Sequence, residues 1–222
     1  EAGWEHPETL VLVHGGGGHL ETFTYNIMPL AEHFHVIGLE MLNHGFSSVV
    51  DAEDDFNGKV TDQIVDVIDS MNLGKVWLHG EAGGASAITP LVRFHADRLK
   101  GAIFESGIAM QFKEGSIAPP RPPVGGIDMR TRTQQLLKDP TWDGVKARLL
   151  MVMHYNHPER VTDELVDVRL AHYSRPSCND GQMRYYTRTS TNQGLATEDD
   201  IAKVDLPVLA IWSDGSSGSG PD

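Results

Sequence analysis

Val76-Trp77-Leu78-His79-Gly80-Glu81-Ala82-Gly83-Gly84-Ala85-Ser86 decides how this chain is read. A short apolar run stops at Gly80, small residues follow, and an amphipathic run continues from Ala85 to His95. That order predicts a strand, a very tight turn and a helix. Gly80, Gly83 and Gly84 strip the turn of Cβ atoms, which lets one residue sit at a strained apex with its side chain exposed. The frame is that of a G-x-S-x-G turn with Ala82 in the serine position. A methyl group cannot attack a carbonyl. The turn keeps its shape and lacks its chemistry.

Working outward, Leu10-Val11-Leu12-Val13 is a buried-strand run that ends in His14-Gly15-Gly16-Gly17-Gly18. Four glycines after a strand offer unobstructed backbone N–H groups, either as a plain turn or as a loop that binds an anion or oxyanion. The spacing lacks the third glycine of a dinucleotide fingerprint and the lysine of a P-loop. A turn like that at Ala82 needs such a partner loop, which favours the oxyanion reading. On the other side, Gly101-Ala102-Ile103-Phe104-Glu105 reads as a strand with a carboxylate at its C-terminal end. Alternating strands and helices imply a parallel sheet with right-handed crossovers, and ligands gather at the carboxyl ends of such strands. His14, Ala82 and Glu105 all fall there.

The remaining core elements are a helix over Thr22–His33 with Phe23, Ile27, Leu30 and Phe34 on one face, a strand at Val36–Leu39, and a helix over Thr61–Met71 carrying Ile64, Val65, Val67 and Ile68. His44 falls in a tight turn, where a structural use is expected, and Asp51–Asp55 reads as a solvated acidic loop. After Glu105 the pattern changes. Pro119–Pro123 is a rigid spacer. Helical segments alone follow, near Thr131–Lys138, Asp143–Asn156, Thr162–His172 and Asp180–Ser190, with Thr162 and Asn179 as N-caps. Strand character returns at Leu206–Trp212. The expected division is a core over 1–105, a helical lid over 106–204, a core strand over 205–213 and a flexible, linker-like tail over 214–222. Met151, Met153, His154, Tyr155, His157 and Tyr173 suit either the roof of an apolar cavity or the lid's own core.

The chain has 222 residues, enough for one sizeable core, and a formal charge of −13. An acidic chain without a basic cluster is a poor partner for nucleic acid or an anionic membrane surface. The single cysteine, Cys178, excludes an intrachain disulfide and fits a reducing, cytoplasmic setting. No apolar run reaches the length of a membrane span, and no signal peptide opens the chain. His154 and His157 are three apart but lack a third ligand, so neither a metal nor another cofactor is expected.

The run from Leu10 to Ser48, the turn and helix over 76–98, and a lid ahead of the Leu206 strand resemble the meta-cleavage-product hydrolases, enzymes of the α/β-hydrolase fold. That family cuts a C–C bond in vinylogous 1,5-diketones from aromatic ring degradation. The resemblance implies that Ala82 occupies the nucleophile position and that the N–H groups of Gly16 and Gly83 form the oxyanion hole. It places Gly17, Asn26, Glu81 and Tyr155 among substrate-contacting positions. It matches Arg169 to a lid arginine that binds the substrate's acidic end; a helix-surface ion pair with Asp163 or Asp167 is the alternative. The departures are Ala82 itself, Glu81 where asparagine is usual, and Asp214, which follows the last strand too soon for the usual acid. The family's first hairpin and its histidine turn would lie outside this sequence. Some α/β-hydrolases place a glutamate after the earlier strand, which makes Glu105 the stronger acid candidate, against a helix cap or a surface charge.

Three functions fit these residues. One is a hydrolase of a C–C, ester or lactone bond, inactive with alanine at position 82. The second is a binding protein that holds a small molecule without cutting it. The third is a cofactor-free oxygenase on the same scaffold. A small-molecule partner is expected in each, and the fold's frequent dimers make a homodimer an expectation.

Overall fold

The structure is a computed structural model that describes residues 1–53, 55–111, 129–152, 157–188 and 195–212. Tyr155, Asp214, His154 and the Pro119–Pro123 spacer lie outside the described residues.

Five parallel strands form the main sheet in the order β2-β1-β3-β4-β7. They are β1 (Thr9–Val13), β2 (His35–Leu39), β3 (Val76–Glu81), β4 (Leu99–Glu105) and β7 (Val208–Ile211). Helices cover both faces, so β1 is buried along its whole length and apolar from Leu10 to Val13. Its alternating side chains serve two cores. Val11 and Val13 pack with α2 (Phe56–Ser70) and α3 (Gly83–Phe94). Leu10 and Leu12 pack on the other face with Phe23 and Ala31.

The sequence expectation for α2 starts late. The helix begins at Phe56, and Asp55, read as part of a solvated run, caps it by accepting the Gly58 N–H. Ile64 and Ile68 are core, while Val65 and Val67 pack at its margin. The single helix expected over Thr22–His33 is instead a 3-10 turn at Leu20–Phe23 followed by α1 (Ile27–Ala31). Pro29 has no N–H to donate and disfavours a helix interior; here it falls in the first turn of α1, where no intrahelical partner is lost.

The stretch expected as a lid contains α4 (Met129–Lys138), α5 (Trp142–Val152), α6 (Asp163–Ser174) and α7 (Pro176–Thr187). They enclose a separate apolar core of Leu137, Val145, Leu149, Val161, Leu165 and Val166 beside Tyr173. Thr162 caps α6 as expected, accepting the Leu165 N–H at 3.3 Å. Asn179 caps nothing. Arg175 is the N-cap of α7, and Asn179 sits within that helix, donating to the Leu137 and Tyr173 carbonyls. Nor is the region helical alone. Two short strands, β5 (Met110–Gln111) and β6 (Ala196–Thr197), pair in parallel, and Thr197 and Asp200 form a capping box at α8 (Glu198–Ala202). On the far edge of the main sheet, β7 pairs with β4 and is exposed at every residue.

Candidate active site

The site begins at the turn between β3 and α3. Ala82 has φ 46° and ψ −105°, a conformation that L-residues rarely adopt. Such strain costs about 1–3 kcal/mol and persists only where the surroundings impose it. Here they do. The Ala82 N–H donates to the Glu105 carbonyl at 2.8 Å, and the Ala82 carbonyl accepts the Ser86 N–H at 3.1 Å. The glycines around it are required by close backbone approach. A Cβ on Gly80 would lie 2.7 Å from the Ala85 backbone, and one on Gly84 would enter the Val13 and His14 carbonyls.

The loop after β1 folds against this turn. The Gly18 N–H closes it onto the Gly15 carbonyl at 2.9 Å. Gly17 has φ +74°, and its N–H donates to His44 Nε2 at 3.1 Å. His14 Nε2 accepts the Met41 N–H at 3.1 Å. The Nδ1 atoms of His14 and His44 face the Gly15 and Leu42 carbonyls. Burial first of all pushes both imidazoles below their usual pKa, so each is neutral with one donor and one acceptor, as this network needs. The Gly16 N–H, by contrast, has no partner among the described residues. A Cβ on Gly83 would lie 2.7 Å from the Gly16 nitrogen. As the first residue of α3, Gly83 also keeps an N–H outside the intrahelical ladder. The Gly16 amide thus lies against Gly83, beside the half-exposed Ala82.

Carboxylates stand at the strand ends behind the turn. Glu81 and Glu105 are register partners on β3 and β4. Glu81 accepts the Gly15 N–H at 2.6 Å, and burial pushes its pKa up despite that bond. Glu105 does hold an imidazole, as the acid reading asks, but that of His79 within β3, with Nε2 to Oε2 at 2.9 Å. That bond holds Glu105 below the usual carboxylate range. His79 was not singled out from the sequence, where it reads as one more strand residue.

The lid supplies the opposite wall. Arg169 is 1% exposed, so it is not the helix-surface ion pair that Asp163 or Asp167 offered. It pairs with Glu21, donates to the Gly17 carbonyl at 2.8 Å, and among the described residues leaves its other terminal nitrogen without a partner. Burial opposes its charge, and Glu21 with Tyr173 outweighs burial, raising its pKa. Asp163 instead meets Lys146, and Asp167 accepts the Trp142 indole N–H. Tyr173 donates to the Gly17 carbonyl at 2.9 Å and Tyr186 to the Gly16 carbonyl at 2.8 Å. Arg148, also buried, donates to Tyr173, Thr133 and Tyr186. A Cβ on Gly83 would come within 2.6 Å of the Tyr185 hydroxyl, which therefore stands beside Gly83. Arg148, Tyr185 and Tyr186 were missed from sequence, because tyrosine and arginine on lid helices carry no spacing signal. Gly17, with both backbone groups engaged inside the protein, offers none to a ligand. Asn26 is exposed at the N-cap of α1, outside the buried cluster.

A family model described as alpha/beta hydrolase fold matches residues 8–216. The chain belongs to that family. Among curated relatives, it is 33% identical over 101 residues to an (E)-2-((N-methylformamido)methylene)succinate hydrolase of Acinetobacter baylyi, a match spanning 46% of this chain and 38% of that protein. The fold is also that of 2-hydroxy-6-oxo-6-phenylhexa-2,4-dienoate hydrolase from Rhodococcus sp. strain RHA1, with TM-score 0.74, 17% identity, and coverage of 95% of this chain and 74% of that one. A serine-to-alanine mutant of a meta-cleavage product hydrolase from Pseudomonas fluorescens IP01, complexed with acetates, gives TM-score 0.72 at 16% identity, covering 96% of this chain and 74% of that one. The α/β-hydrolase architecture expected from the sequence is therefore shown. No described helix is long and apolar enough to cross a membrane.

Proposed function

We propose that this chain is the core of a serine-type α/β hydrolase that cleaves a C–C, ester or lactone bond in a small, aromatic-derived acid, held in an inactive form by alanine at the nucleophile position. One observation carries the reading. Ala82 retains the strained, half-exposed apex conformation beside the Gly16 and Gly83 amide hydrogens. A hydroxyl on that methyl would face a carbonyl whose oxygen points at both N–H groups, the arrangement that stabilises a tetrahedral oxyanion. Glu105 is the acid candidate and Arg169 the anchor for a substrate carboxylate. The names of the relatives, acids cut by hydrolases, support the substrate class.

The alanine itself favours a second reading, a pocket that binds such an acid without turning it over. Ala82→Ser separates the two. The hydrolase reading expects the variant to react with a fluorophosphonate probe and to hydrolyse members of an ester, lactone and dienone panel. Its rate should exceed the unaltered protein's by at least about a thousandfold, the usual scale of a nucleophile's contribution. A folded variant that neither takes up the probe nor turns over any member of the panel would leave the binding reading in place.

A further inference from the structure

The loop that carries the free amide ends in His19, and beside it the lid presents two more metal-type ligands. One donor atom each from His19, His172 and Cys178 lies within 4.8 Å of the other two. His19 immediately follows Gly18, His172 lies in the last turn of α6, and Cys178 lies in the first turn of α7. The His19 and His172 rings stack with centroids 4.2 Å apart and planes 16° apart. We propose that these three residues bind one zinc-type divalent cation, which would tie the lid to the glycine loop.

The second observation is an orphaned atom. His19 is fully buried, yet among the described residues its Nδ1 has no hydrogen-bond partner, and neither does the side-chain oxygen of Gln182 beside it. The His19 Nε2 faces the Gln182 amide nitrogen at 2.9 Å. Turning that amide over places its oxygen against Nε2. His19 then donates Nε2–H to Gln182 and presents Nδ1 as a bare lone pair. A carbonyl on the far nitrogen is the usual way a protein orients a metal-binding imidazole.

The donor set selects the ion. Two imidazoles and a thiolate suit zinc or cobalt(II) rather than calcium or magnesium, which prefer oxygen. Glu40 stands next to His19, with Oε1 3.8 Å from its Nδ1, but outside the three-donor group, so water would complete four-coordination. The charges also close. A dication balances the Cys178 thiolate and Glu40, while Arg169 is already matched by Glu21. Burial pushes the Cys178 thiol up to about 11, so the ion must displace its proton to water as the sulfur–metal bond forms. Bonds of about 2.0–2.1 Å to nitrogen and about 2.3 Å to sulfur require the donors to close in and the stacked rings to tilt apart. The half-buried edge of His172 is the route in.

Cobalt(II) chloride titrated into the whole, chelator-treated chain tests this. One ion per chain should bind, with a near-ultraviolet thiolate-to-cobalt band and the intense visible bands of four-coordination, and zinc should displace it. Cys178 is the sole cysteine, so that band can come from no other residue. Cys178→Ser should abolish it, and His172→Ala should weaken cobalt binding at least about tenfold. Circular dichroism establishes that each variant is folded. In the unaltered chain, saturating zinc should raise Tm, a readout that needs no variant. Absence of the thiolate band, or cobalt affinity unmoved by both substitutions, would overturn the site.

Discussion

The two walls of the candidate site are made of different materials. The wall at β1, β3 and α3 is backbone: the Gly16 and Gly83 N–H groups, the Ala82 apex, and glycines whose missing Cβ atoms allow the contact. The lid wall is long polar side chains: Arg169, Tyr173 and Tyr186 reach the carbonyls and the acid of the facing loop, and Arg148 holds the Tyr173 and Tyr186 hydroxyls. The first wall stores strain, and burial pushes its Glu81 carboxyl toward the protonated form. The second buries two guanidiniums, and among the described residues only Arg169 has a carboxylate partner. A backbone wall can fail through a single added methyl. A side-chain wall fails when one member of a charge pair is removed.

Removing Arg169 should therefore be the most damaging change short of deleting a helix. Arg169→Ala leaves the Glu21 carboxylate, whose side chain is 8% exposed, without its cation. Breaking one partner of a buried pair costs about 3–5 kcal/mol. Urea unfolding should show that loss, and the Glu21→Gln and Arg169→Met pair should cost less than the sum of the single changes. A loss below about 1 kcal/mol would mean that the lid wall does not depend on its charges.

On the backbone wall, Gly84→Ala is the matching test. Its Cβ would meet the Val13 and His14 carbonyls, which are backbone and cannot swing away. Overpacking of that kind costs about 1–3 kcal/mol. Gly74→Ala is the control, because open space surrounds it and only its φ of +67° opposes the change. It should cost about 1 kcal/mol. Equal losses at the two glycines would show that the close approach at Gly84 is not what holds the turn.

This difference also decides what could be read from the sequence. The apolar runs at Leu10–Val13 and Val76–Leu78 announce buried parallel strands, and Gly80, Gly83 and Gly84 announce the turn, because local sterics permit little else there. The lid wall has no such local signature. Arg169 and Glu21 are 148 residues apart, and Tyr186 and Gly16 are 170 apart. Nothing near either residue in the chain points to the partner. The same long-range assembly hides the His19, His172 and Cys178 cluster. Local chemistry misled where tertiary contacts won: Asn179 has the character of an N-cap, yet it spends its amide on two carbonyls that only the folded lid brings close.

The smallest expected effect lies where the walls meet the sheet, and it is one of sign. Glu81 and Glu105 sit side by side with opposite shifts. Burial raises Glu81, so the folded state prefers it protonated. Its stability contribution is complete below the ordinary carboxylate range and is lost as pH rises through the elevated folded value. Glu81→Gln keeps an oxygen for the Gly15 N–H and removes the charge, so it should unfold later than the parent near neutral pH and equally in acid. The gain should stay below about 1 kcal/mol, as for most mild substitutions. The bond from His79 lowers Glu105, whose contribution is present above the ordinary range and is lost as pH falls. Glu105→Gln should therefore unfold earlier than the parent near neutral pH, again with no difference in acid. Melting curves of both variants across that range should diverge from the parent in opposite directions. If both diverge the same way, burial does not govern Glu81, and its carboxylate holds Gly15 in place instead.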